Sequence, residues 1–314
     1  MAYKLEMRHF GKVPESAVRT HVEEGYVILA ARRGAPEREG VLPIKTADED
    51  IRSPRLGLIV DSGINSLAQR VVQERLFSPE YLLNITRVQF NGYVVDIYAN
   101  KVNYGSLSAL QVITSQFPED KIRPVLDQVA PGSARGVLVS AKNEVIYLAR
   151  RKNVNVASGR IDTYPAGGTG EDESDINYTL RAEAMEEAGF RIGPDGEAFL
   201  IGLTRGRNEG ISPSFNYMIE TDWPIDTLRR NTTPEHDKVY EAPLDEKKLR
   251  EKIVEDLVVP SRGRREYERI TEHGLSALLQ VGKVLFGNGW YKSVVGNLLD
   301  RYEDISITES NIFK

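Results

Sequence analysis

The sequence predicts an α+β protein in two parts, an N-terminal α+β region over 1–128 and a second region over 129–314 that ends in helices. Three observations predict it. Short β-branched and aromatic runs, bounded by Gly, Pro and Asn, recur through both regions. Asn91-Gly92 lies between two such runs, and that pair is the strongest short hairpin signal because both turn positions need φ > 0. Helical periodicity is confined to separate stretches, and a length of 314 residues exceeds the usual single domain.

The elements follow in order. Residues 27–31 and 56–60 are apolar runs read as strands, and the charged, Gly- and Pro-containing 32–40 is read as an exposed loop. Ser66 and Gln69 suit a capping box, and Leu67, Val71, Val72 and Leu76 form one stripe, so 66–77 is read as a helix. The hairpin joins 86–90 to 93–98, and 106–117 is a second helix. Two Pro-containing breaks, at 116–120 and 130–133, bracket the expected domain boundary. Strands are expected at 134–140 and 144–151 around Lys142-Asn143, then at 161–164, 199–204, 214–219 and 238–243. A helix over 245–257 places Leu249, Ile253 and Leu257 on one side. Two apolar helices, 275–286 and 291–302, are separated by Gly-Asn-Gly-Trp. Their apolar faces need burial.

Composition narrows the function. Hydrophobic residues make up 40% and charged residues 28%, with net charge −5 and no basic run, so nucleic acid is not an expected partner. The absence of cysteine rules out disulfides and thiolate chemistry. No apolar run approaches the ~20 residues of a membrane span, and the first residues lack a signal-peptide core. A cytoplasmic protein without a membrane partner is the expectation. His9 and His21 stand alone and are read as structural. Arg32, Arg33 and Arg38 are read as solvated.

One stretch is dense in chemistry. Residues 164–190 pass from a Pro-Ala-Gly-Gly turn through an acidic loop into a helix carrying Glu183, Glu186 and Glu187, which stops at Gly189. Residues three and four apart share a helix face, and like charges there destabilise it by a few tenths of a kcal/mol per pair. A hard divalent cation, which takes carboxylates, water and phosphate oxygens, removes that cost. A lone Glu-x-x-Glu-Glu is ordinarily a solvated face.

The stretch resembles the Nudix box, the signature of hydrolases that cut nucleoside diphosphates linked to another moiety. Glu183-Ala-Met-Glu186-Glu187-Ala-Gly189-Phe190 matches the second half of that pattern. The first half slips by one residue. Counted back from Glu183, Gly168 fits, but Ser174 and Ala182 stand where the pattern has Glu and Arg. Counted forward from Gly167, Glu173 and Arg181 fit, and Ala182 is then an insertion.

The resemblance implies an α/β/α sandwich with a mixed sheet, and a domain before the box that shapes the substrate pocket or a homodimer. It implies Mg²⁺ or Mn²⁺ held by Glu183, Glu186 and Glu187, and attack on a phosphoanhydride by a metal-bound water. Gly167, Gly168 and Gly170 would let backbone approach the diphosphate. Arg205 and Arg207, after a strand, would grip phosphate. Glu235, Glu209 or one of the box glutamates would take the proton, and His236 lies in the same segment as Glu235. The implied substrate is a nucleotide sugar or ADP-ribose. The altered box leaves a catalytically silent nucleotide-binding or protein-interaction module as the alternative.

Overall fold

The computed structural model describes residues 3–29, 41–46, 57–59, 81–103, 130–142, 144–152, 159–169, 175–206, 212–230, 236–258, 269–310 and 312. The chain is α+β. In chain order the strands are β1 (Tyr3–Pro14), β2 (Val18–Leu29), β3 (Val41–Thr46), β4 (Gly57–Ile59), β5 (Tyr81–Phe90), β6 (Val95–Asn103), β7 (Ser133–Ser140), β8 (Val145–Arg151), β9 (Ile161–Thr163), β10 (Ala166–Gly168), β11 (Gly196–Gly206), β12 (Pro213–Thr221), β13 (His236–Pro243) and β14 (Ile305–Glu309). The helices are α1 (Ile176–Ala188), α2 (Ile225–Arg230), α3 (Glu246–Glu251) and α4 (Glu272–Arg301). The larger sheet runs β13-β8-β7-β12-β11-β1-β14, with β10 beside β7 and β9 beside β8, and the smaller runs β4-β3-β2-β6-β5.

Alternation along the strands splits the larger sheet's side chains between two cores. Ala134, Leu138, Phe215, Tyr217 and Leu203 pack with Leu180, Ala184 and Ala188 of α1. Val137, Val139, Met218 and Ile201 pack with Leu275, Leu278, Leu279 and Leu298 of α4. The larger sheet is mixed, since β12 and β7 are parallel while β11 and β12 are antiparallel.

The Asn91 hairpin forms, but its loop is the four residues 91–94 rather than a two-residue turn with both positions at positive φ, and Tyr93 and Val94 precede β6. Asn91 Oδ1 accepts from the amides of Tyr93 and Val94 at 3.0 and 2.8 Å, and Gly92 takes φ 90°. The helix expected over 245–257 is α3 followed by a π-helical turn, Lys252–Leu257, whose Ile253 and Leu257 stay buried with Leu249. The two terminal helices are one element broken at Gly287, with φ 85° and ψ 177°. The break folds Trp290 back over Gly282. The helices expected over 66–77 and 106–117 lie outside the described residues.

Four strands were not anticipated: β1, β3, β10 and β14. β1 pairs antiparallel with β11 and parallel with β14, so the first residues belong to the larger sheet rather than to a separate N-terminal unit. A boundary near residue 128 does not separate the cores either. Val18, Leu83, Ile85 and Ile97 share one cluster with Ala134 and Leu180. Backbone bonds cross from Leu83 N to Thr169 O (3.0 Å) and from Ile85 N to Ala130 O (2.8 Å).

Candidate functional site

The glutamate-bearing helix is α1, and the chain's first twenty residues hold its start. Asp175 is the N-cap and accepts from Asn177 N. Thr20 Oγ1 accepts from Ile176 N at 3.1 Å and donates to Asp175 Oδ1 at 3.2 Å. Asn177 Nδ2 donates to the backbone carbonyls of Glu15 and Val18, and its Oδ1 accepts from the Tyr217 hydroxyl at 2.9 Å. At the other end Gly189 takes the left-handed conformation, φ 62°, that stops a helix cheaply only in glycine.

The three glutamates do not converge: Glu183 and Glu187 meet the Gly-rich turn, and Glu186 points away. Glu187 is buried, only 5% exposed, and its Oε2 accepts from Ala166 N at 2.8 Å. Its Oε1 lies 3.9 Å from Nδ1 of His236, which is also buried and stands against the Tyr164 ring at 5.6 Å. Glu183, one turn earlier, is half-buried and lies directly on Gly167 of β10. Glu186 is exposed. Successive helix residues turn by about 100°, so Glu186 and Glu187 cannot face one way, whereas Glu183 and Glu187 both meet the backbone at 166–167. Among the described residues no group of three or more His, Cys, Asp or Glu is gathered as a metal site.

α1 runs unbroken from Ile176 to Ala188, with Ala182 directly before Glu183. Arg181 forks onto Glu15, with nitrogens at 2.7 and 3.1 Å from its two carboxylate oxygens. Of the remaining candidates, Gly168 is exposed with open space where a Cβ would stand. Arg205 is buried in β11, in register with Glu6 and Pro213. It shares a sheet face with Leu203, on the α1 side. Gly170, Glu173, Ser174, Arg207, Glu209 and Glu235 lie outside the described residues. Sequence reasoning passed over the Ala166 amide, Tyr164 and Glu15; Tyr164 and Ala166 lie inside the stretch itself, and Glu15 carried no signal.

A second polar cluster lies on the α4 side of the larger sheet. Asp162 is buried and accepts from Arg135, from Arg151 at 3.2 Å, from the Thr271 hydroxyl at 2.7 Å and from Thr163 N at 2.8 Å. Burial alone would raise its pKa, but the two guanidiniums and these bonds outweigh it and hold it at about 2. Thr271 also caps α4 by accepting from Gly274 N. The next residue but one, His273, donates from Nε2 to Ser212 O at 3.1 Å, and burial, then the nearby Arg135, push its pKa down to about 4. The cluster locks the strand before the Gly-rich turn to the start of α4.

Gly167 offers a test of the first site. A Cβ there would fall 1.7 Å from Glu183 Oε1, the far end of a flexible side chain. Gly167→Ala is therefore expected to leave the melting temperature nearly unchanged while displacing the Glu183 carboxylate. On the reading of the glutamates as metal ligands, Mn²⁺ affinity followed by paramagnetic line broadening should fall; a large loss of stability without any change in Mn²⁺ binding would contradict this placement.

Among the described residues no helix is long and apolar enough to cross a membrane. No family model matches the chain, and no curated protein matches it. Among solved structures it is similar to the crystal structure of DR0079 from Deinococcus radiodurans, at 16% identity and a TM-score of 0.31, over 40% of this chain and 74% of that one. A likeness of that size carries no inference about activity.

Proposed function

We propose that the chain is a metal-dependent hydrolase of the Nudix type, which cleaves the diphosphate of a nucleoside diphosphate linked to another moiety, a nucleotide sugar or ADP-ribose. One observation carries the reading. Glu183 and Glu187, one helical turn apart, both lie against the backbone of the Gly-rich turn, and Glu187 is buried there beside His236. Burying a carboxylate is costly, and a turn that brings backbone to two of them suits a cation shared with phosphate oxygens.

Glu183 and Glu187 are the ligands for Mg²⁺ or Mn²⁺ in this reading, with Glu186 reaching from the solvent side. When bound, the metal would supply an acidified water and neutralise charge on the diphosphate. Gly167 and Gly168 leave room for the substrate, Arg205 and Arg207 bind phosphate, and Glu235, Glu209 or His236 accepts the proton.

The test is turnover of nucleotide sugars, ADP-ribose, dinucleotides and nucleoside triphosphates with Mg²⁺, by the wild type and by Glu186→Gln. Hydrolysis of a diphosphate-linked substrate that falls in the variant supports the proposal. Ala182 before Glu183 and the engagement of Arg181 by Glu15 favour the second reading, a silent nucleotide-binding or protein-interaction module. Binding of ADP-ribose in equilibrium dialysis without any turnover would select it. Turnover unaffected by Glu186→Gln would overturn the metal-site assignment.

A further inference from the structure

Two backbone irregularities meet on the face of the larger sheet opposite α1. The first is in β1. His9 is in register with Gly202 and Val13 with Leu200, so residues 10–12 bulge out of the ladder. Gly11, with φ 79°, makes the bulge sterically accessible, and there is open space around it. The second is the break of α4 at Gly287, after which the helix resumes at Asn288. Bulges re-aim side chains and interrupt pairing, and the amides that begin a helical segment have no acceptor within it.

Between the two lies a cavity of 440 Å³, within the size range of small-molecule sites. Ile201 and Val284 supply an apolar wall, and His9, Lys12, Lys283 and Asn288 supply the polar lining. Among the described residues no Asp or Glu lines it. Each lysine is held from beside the cavity by one acid. Lys12 Nζ lies 2.6 Å from Glu220, and Lys283 Nζ lies 3.0 Å from Glu309. The His9 ring stands edge-on to Tyr291 at 4.9 Å, and its Nε2 lies 3.5 Å from Glu309 without a hydrogen bond among the described residues.

We propose that this cavity is a binding site for a small organic anion, a phosphate or carboxylate head on a compact apolar body. The head sits between Lys12 and Lys283, within reach of His9 and Asn288, and the body packs on Ile201 and Val284. Glu309 is the competitor. Its side chain is 54% exposed and turns out to water when the anion takes its place at Lys283. His9 reports on occupancy. Burial, then the charge of Lys283, depress its pKa to about 4, and a bound anion restores some of it. The site is independent of the box glutamates, which lie on the other face of the sheet.

Calorimetric titration with inorganic phosphate, phenyl phosphate and benzoate, at fixed ionic strength and with chelator present, tests the site on the full chain. Phenyl phosphate or benzoate is expected to bind more tightly than inorganic phosphate, and the preferred head group distinguishes the two chemistries. Lys283→Met should weaken binding about tenfold or more, as loss of a charged hydrogen bond does. Glu309→Gln should tighten it by about two- to fivefold, the size of a half-exposed ion pair, and Glu187→Gln should leave it unchanged. The His9 ring resonance, followed by NMR, should titrate at higher pH when the anion is bound. Failure of all three probes to bind either the wild type or Glu309→Gln would overturn the proposal. So would equal affinity in Lys283→Met, shown folded by circular dichroism.

Discussion

Asp162→Ala is expected to lower folding stability by about 3–5 kcal/mol, the size of effect seen when one partner of a buried ion pair is removed. Asp162 is the single acceptor that Arg135, Arg151, the Thr271 hydroxyl and the Thr163 amide share. Arg151 is partly exposed and can turn to water, but Arg135 is buried and would keep an uncompensated charge. Urea unfolding should show the loss as a lower midpoint. The double change Asp162→Leu with Arg135→Met should recover much of it, since replacing both partners by apolar groups is often neutral. An unchanged midpoint in Asp162→Ala would contradict the account.

Asp162 and two buried histidines, His9 and His273, set the acid limit of the fold. A histidine held neutral by burial stabilises the native state fully above its unfolded pKa, near 6.5, and loses that contribution as pH falls towards its folded value. With His9 and His273 both near 4, stability should decline between about pH 6.5 and 4. Asp162, depressed from 3.8 to about 2, contributes fully above its unfolded value and loses its share as pH falls through 2. Asp162→Ala should abolish the lower of these two stages and keep the upper one.

Under the proposed metal-dependent hydrolysis, Glu187→Gln is expected to cut turnover more than about a hundredfold, given that loss of even an outer partner of a metal ligand costs 10–100-fold. The amide keeps an oxygen able to accept from Ala166 N, so the melting temperature should hardly move while Mn²⁺ affinity falls. The comparison to make is kcat/KM with Mg²⁺ on any diphosphate-linked substrate for which the assay proposed above finds turnover. Wild-type activity in this variant would remove Glu187 from the site.

Local features were legible because they are written locally. The Asn91 hairpin, the Gly189 stop and the break before Trp290 each depend on a few adjacent residues whose backbone preferences agree. β1 was legible in principle, since Tyr3, Leu5 and Met7 alternate with Lys4, Glu6 and Arg8 as a half-buried strand does. Its partners were not, because nothing in its own residues names β11 or β14. The site shows the same division. Helical spacing brings Glu183 and Glu187 to one side, but only the position of β10 shows that Glu187 is buried and Glu186 is not. The pairing of Arg181 with Glu15 joins residues 166 positions apart, a contact that no motif spacing encodes.

The pairing of β1 with β14 also orders events in time. Thr308 donates to a carbonyl of Leu5, 303 residues earlier. A ribosome that has finished β11 can offer β1 one neighbour, but the other emerges only with the last strand. Until then one edge of β1 is unpaired, and open edges invite pairing with other chains. The charges on its alternate residues, Lys4, Glu6 and Arg8, make that edge a poor template during the wait.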